Sequence, residues 1–116
     1  MERYILLLHQ NEQRPSMSPE EMQSVIAKYK AWGQRLRETG KFVASDKLED
    51  GTGRILRADA GKVRITDGPF AETKDVIGGY FVIQVANWDE AVEASRDCPH
   101  LHYGFGPIEI RRIQVV

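Results

Sequence analysis

Two continuous apolar runs and one amphipathic stripe set the frame of this chain. Tyr4-Ile5-Leu6-Leu7-Leu8, ending in His9 and Gln10, and Tyr80-Phe81-Val82-Ile83-Gln84-Val85 are of strand length and do not alternate. Such runs predict strands covered on both faces. Between them, Met22, Val25, Ile26, Tyr29, Trp32 and Leu36 recur at three- and four-residue spacing, which is one apolar stripe of a helix. Ser18 suits the N-cap of that helix, Pro19 its first position, and Glu21 completes a capping box. Met17 and Met22 stand where a hydrophobic staple would be, and Gly40 is the expected stop.

The remaining pattern fills in a simple order. Phe42 to Leu48 reads as a second strand. Arg54 to Ala58 and Lys62 to Thr66 read as a hairpin around Asp59-Ala60-Gly61, with Val63 and Ile65 alternating with polar neighbours. Asn87 and Glu90 cap a second helix that runs through Asp97, and Pro99 closes it. His100 to Gly106 reads as a loop, and Pro107 to Ile113 as a last strand with Ile108 and Ile110 opposite Glu109 and Arg111.

Strand, helix, strand, hairpin, strand, helix, strand is two βαβ halves with an insertion, the ferredoxin-like α+β plan of an antiparallel sheet with two helices on one face. That plan makes the first and third core strands central, and these are the two continuous apolar runs. Two helices cover only one face of a sheet, so a second cover is expected over the other, most economically a second copy of the chain. A homodimer is therefore the expected assembly.

Composition narrows the function classes. At 116 residues the chain is expected to form a single domain over 1–116. Area scaling gives about two-thirds of its surface buried, enough for a core without staples. Sixteen basic and 17 acidic residues leave a net charge of −1, so no strong field recruits nucleic acid or an anionic membrane. Arg54, Arg57, Lys62 and Arg64 make the hairpin basic, but without interleaved aromatics they read as a solvated surface, and no nucleic-acid partner is expected. One cysteine forbids an internal disulfide, and Cys98 reads as a small buried hydrophobe. No signal-peptide pattern or membrane-length apolar run is present, so a cytoplasmic protein without a membrane partner is expected.

The densest turn chemistry lies in Thr66 to Tyr80. Asp67 can close an Asx-turn, Gly68 is driven extended by the proline after it, and Pro69 has its φ fixed. Phe70 can pin the turn onto the core. Gly78 and Gly79, just before an apolar strand, mark a bulge or a close approach of backbone or ligand. Asp67, Glu72, Lys74 and Asp75 form a close acid–base cluster that no helical periodicity assigns to a wet face. One reading is a rigid loop whose carboxylates serve the turn. The other is a ligand-facing loop with Asp67 or Glu72 as the acid–base group.

Asp67-Gly68-Pro69-Phe70 followed by Glu72, Lys74 and Gly78-Gly79 resembles the DGPF branch of the YCII-related proteins, as do Cys98-Pro99-His100 and the closing Gly106-Pro107-Ile108-Glu109-Ile110-Arg111. The resemblance covers nearly the whole chain. It implies a ferredoxin-like domain that pairs into a dimeric α/β barrel, in a family without a settled activity. It carries Gly68, Pro69, Phe70, Glu72, Lys74, Gly78 and Gly79 over as the loop motif. Some relatives are linked to alternative sigma factors. Others have been suggested to use a His–Asp pair, but the first helix here holds no histidine to supply its half.

The histidines are the other candidate chemistry. His9 ends the first central strand, where it can point into a cleft between sheet and helices or serve as a hydrogen-bonding group. His100 and His102 would share a face of an extended segment, but their spacing is no metal signature, and neither a metal nor a cofactor is expected. A pocket is expected between the first helix, the sheet and the 67–79 loop, with Tyr29, Trp32 and Phe70 as its apolar wall or as plain core. No serine-hydrolase elbow, P-loop or dinucleotide fingerprint occurs. Two function classes follow. One is a small-molecule or partner-binding dimer, regulatory rather than catalytic. The other is a cofactor-free enzyme doing lyase- or isomerase-type proton transfer, with Asp67 or Glu72 as base and His9 or His102 as partner.

Overall fold

A computed structural model describes residues 1–11, 16–67 and 75–116. The elements run β1 (Glu2–Asn11), α1 (Pro19–Glu38), β2 (Phe42–Lys47), β3 (Arg54–Asp59), β4 (Lys62–Asp67), β5 (Asp75–Val85), α2 (Trp88–Ser95), α3 (Pro99–His102) and β6 (Ile108–Arg112). The main sheet has the order β2-β5-β1-β6 with every pairing antiparallel. That is the ferredoxin-like arrangement, and the two apolar runs are its central strands.

Helix α1 begins as the local chemistry dictates. The Ser18 hydroxyl accepts from the Glu21 N–H at 3.1 Å, and the Glu21 carboxylate accepts from the Ser18 N–H at 3.2 Å. At the far end Gly40 turns with φ 71°, and the Lys41 N–H reaches back to the Leu36 carbonyl at 2.8 Å, which satisfies an end carbonyl. Asn87 caps α2 through the Glu90 N–H at 3.0 Å.

Alternation along β1 divides the sheet into two unlike faces. Tyr4, Leu6 and Leu8 are buried and join Trp32 and Leu36 of α1, Ile83 and Val85 of β5, Ala91 of α2 and Cys98 in one core. Each large aliphatic buried there is worth about 1.5–3 kcal/mol. The Trp32 ring meets Phe81 edge-on at 4.6 Å, and its N–H donates to the Ala94 carbonyl at 3.1 Å. On the other face Ile5, Leu7 and Val82 are only half-buried, with Ile5 opposite Val82 and Leu7 opposite Tyr80. The helices do not cover this face. The molecule is 18 Å in its thinnest dimension, the depth of one sheet and one helix layer.

The inserted hairpin stands apart as its own two-stranded sheet. Ala60 and Gly61 both take positive φ at its tip, as a tight hairpin turn demands. Leu56 pairs with Ile65 and Ala58 with Val63 on one face, where Leu56, Val63 and Ile65 are more than 60% exposed. Three elements differ from the sequence expectation. β1 and β5 run longer than their apolar cores, because the strands continue pairing through His9–Asn11 and Asp75–Ile77. Residues 100–102, expected as loop after Pro99, belong to the short helix α3, since Pro99 suits a first helical turn as well as it ends the preceding one.

Candidate functional site

A cavity of about 810 Å³ opens between α1 and the helix-covered face of the sheet. Met22, Val25 and Ile26 of α1, Leu8 and Phe81 of the sheet, and Phe105 make its apolar wall. Tyr29 and His100 supply polar groups in that wall, while Lys30, Asp46, Lys47 and Asp50 are charged members of its lining. Lys47 pairs with Asp50 at 2.9 Å, and Asp46 accepts from the Tyr80 hydroxyl. The volume and the mostly apolar surface are those of a small-molecule site.

Gly78 and Gly79 form part of the same wall. The β1–β5 register shifts between Leu8 and His9, which face Gly79 and Ile77, so Gly78 is the extra residue of a bulge. A side chain on Gly78 would run into Gln10, and one on Gly79 would come within 3.0 Å of the Asp46 carbonyl oxygen. The paired glycines, expected just before an apolar strand, lie within β5 and form the expected bulge, letting backbone and side chains close up along the cavity wall.

His100 is the most constrained polar group of the cavity, with only 2% of its surface exposed. One ring nitrogen, Nε2, lies 2.7 Å from the His9 carbonyl oxygen, and the other, Nδ1, lies 3.2 Å from the Tyr29 hydroxyl. Burial pushes the His100 pKa below the usual histidine value; the His9 and Pro107 carbonyls beside the ring oppose this, and nearby His9 adds to it. Burial also pushes Tyr29 well above the usual phenol range. Cys98, packed nearby, is pushed by burial to about 11, which keeps it a thiol rather than a nucleophile.

Of the four residues expected to carry acid–base chemistry, Glu72 lies outside the described residues, and His9, Asp67 and His102 stand apart from one another. His9 lies between Leu8 and Gln10, which both line the cavity, so its side chain falls on the opposite face of the sheet. There Nδ1 contacts Asp75 and Nε2 contacts Glu109, each at 2.9 Å. The hydrogen bond with Glu109 is the main cause that raises the His9 pKa; partial burial opposes it, and Asp75 adds to the rise. Asp67 ends β4, pairs with Arg54 at 3.3 Å and has a side chain 90% exposed. His102 contacts the Arg96 carbonyl at 2.7 Å and lines a smaller hollow with Lys28 and Tyr103. Gly68, Pro69, Phe70, Glu72 and Lys74 lie outside the described residues. Trp32 is core, whereas Tyr29 does form cavity wall.

The sequence expectation missed the pairing of His100 with Tyr29. The helical turn at Pro99 separates His100, turned inward, from His102, turned to Arg96. Among the described residues, no group of three or more His, Cys, Asp and Glu side chains is placed to hold a metal ion, and no helix is long and apolar enough to cross a membrane.

Comparison with known proteins agrees with this architecture. The YCII-related domain matches residues 3–115, and the chain belongs to that family. An uncharacterized protein of Rhizobium meliloti (strain 1021) is 34% identical over 110 residues, covering 93% of this chain and 89% of the relative. Among solved structures, 5-chloro-2-hydroxyhydroquinone dehydrochlorinase (TftG) from Burkholderia phenoliruptrix AC1100, in complex with 2,5-dihydroxybenzoquinone, superposes with a TM-score of 0.50. It is 17% identical, with 97% of this chain and 93% of that chain covered, a likeness of fold.

Proposed function

We propose that this protein binds a small, largely apolar organic molecule in the cavity between α1 and the sheet. The observation that carries the reading is the cavity itself: about 810 Å³, with an aliphatic and aromatic wall and a Tyr29–His100 pair among its polar groups. The dihydroxybenzoquinone held by the structurally similar dehydrochlorinase supports a ligand of this size class. Binding that serves regulation fits the separate settings of His9, Asp67 and His102. The protein acts as a homodimer in this reading, the second copy covering Ile5, Leu7 and Val82.

The alternative, proton-transfer chemistry without a cofactor, is favoured by one observation only. Tyr29, half-buried, and His100, buried, are an acid–base pair in the cavity wall, and such pairs are where proton transfer is arranged. A carboxylate base from the 67–74 stretch is not needed for it.

A thermal-shift screen against small carboxylates, aromatics and lactones tests the binding reading. A ligand at a hundredfold excess over Kd stabilises the fold by about 2.7 kcal/mol. Ile26→Trp, which changes a partly exposed wall residue of α1, should leave the fold intact and remove that stabilisation. No stabilisation at millimolar ligand, or the same stabilisation in Ile26→Trp, would overturn it.

A further inference from the structure

The hydrogen bonds around His100 fix what the cavity can recognise. A backbone carbonyl only accepts, so the nitrogen 2.7 Å from the His9 carbonyl, Nε2, must carry a proton. With the ring neutral, Nδ1 carries a lone pair. The Tyr29 hydroxyl 3.2 Å away is then the donor to Nδ1. Its single proton is spent in the wall, and what remains on its oxygen is acceptor capacity.

We infer that Tyr29, polarised by His100, is an acceptor-only anchor that selects ligands carrying a hydroxyl group, such as phenols and enols, over matched ethers. This rests on the cavity reading above and names its ligand class. A ligand O–H finds an acceptor on Tyr29, while an ether or ketone oxygen meets a lone pair with no proton between. A buried polar group left without its complement is what gives a site strong discrimination, beyond what apolar fit supplies. Burial of the His100 ring reinforces the neutral state on which this depends. His100 has no contact with the ligand in this scheme and acts as a positioning residue through Tyr29.

Two measurements on the full chain test it. The first needs no ligand. Long-range proton–nitrogen NMR of His100 near neutral pH should show the neutral ring with its proton on Nε2, and a proton on Nδ1 or a charged ring would overturn the anchor. The second compares 2-naphthol with its methyl ether, following affinity by NMR shifts of the cavity residues. The naphthol should bind about tenfold more tightly, the factor for one hydrogen bond at a buried acceptor. Tyr29→Phe, which keeps the ring and removes the acceptor, should narrow that difference and bind the ether at least as tightly as the native protein does; a preference undiminished in this variant would overturn the anchor. Equal affinities in the native protein would overturn the anchor and leave the cavity reading standing. Failure of both compounds to shift any cavity residue would overturn the two together.

Discussion

The Nε2 of His100 lies 2.7 Å from the backbone carbonyl of His9, so one strand residue serves both faces of the sheet. Its carbonyl fixes the tautomer of a buried ring in the cavity wall. Its side chain, on the opposite face, bridges Asp75 and Glu109. Its N–H meanwhile bonds the Pro107 carbonyl at 3.0 Å, which ties β1 to the segment entering β6. The two histidines therefore have opposite electrostatics, one neutral by burial and one biased toward its charged form by carboxylates.

That bias makes a pH prediction. The His9 pKa is raised in the folded protein, chiefly by Glu109, so the native state binds its proton more tightly than the unfolded chain does. The stabilisation is fully present below the unfolded value of about 6.5 and is lost as pH rises through the higher folded value. Stability should fall modestly as pH rises from about 6 through the raised His9 midpoint, by about 1 kcal/mol or less because both carboxylates are partly exposed. Glu109→Gln should move the His9 midpoint, followed by NMR, back toward the ordinary value. A native midpoint already at that value would sink the prediction.

Two glycines should respond to alanine in opposite directions. Gly106 has φ 148°, and a methyl group there would collide with the His9 carbonyl oxygen. The collision is with backbone, so Gly106→Ala should cost about 3 kcal/mol or more and disturb the His100 hydrogen bond with it. Gly33 lies within α1, where the nearest neighbour of an added methyl is the far end of Arg37 at 3.5 Å. Gly33→Ala should stabilise by about 0.5–1 kcal/mol. Urea denaturation of the two variants beside the native protein decides both.

Asp67, which the sequence offered with Glu72 as a candidate acid–base group, stands at the end of the hairpin with its side chain against Arg54. Asp67→Asn should leave both the melting temperature and the protection given by a cavity ligand unchanged. A selective loss of ligand protection in that variant would bring the hairpin end into the site.

How much could be read in advance follows from the range of each interaction. The capping box of Ser18 and Glu21, the stop at Gly40 and the bulge at Gly78 rest on neighbours a few residues away, and local chemistry announced each of them. The central places of β1 and β5 followed from their apolar runs through the two-βαβ plan. His100 was different. Its meaning depends on Tyr29, 71 residues earlier, and on a carbonyl 91 residues earlier, and no local pattern encodes either. The face taken by His9 was legible in principle, since Leu8 beside it belongs to the core and alternate strand residues face opposite ways. A loop expectation from His100 onward hid the divergence of His100 and His102, because Pro99 reads equally well as an end and as a beginning.

The open face of the sheet yields the last prediction. Ile5, Leu7 and Val82 form an apolar centre on the side away from both helices. His9, Asp75 and Glu109 lie at one margin of it, since Glu109 pairs with Leu7 across β1 and β6. A second copy laid on this face would bury the apolar centre on both partners and keep the charged groups at its rim, the usual layout of an interface. Leu7→Glu places a charge in that centre and spares the helix-covered core, so the variant should stay folded and become monomeric. Light scattering of the native chain should give twice the monomer mass at micromolar concentration. A stable native monomer, or a Leu7→Glu variant that still dimerises, would show that this face is covered in some other way.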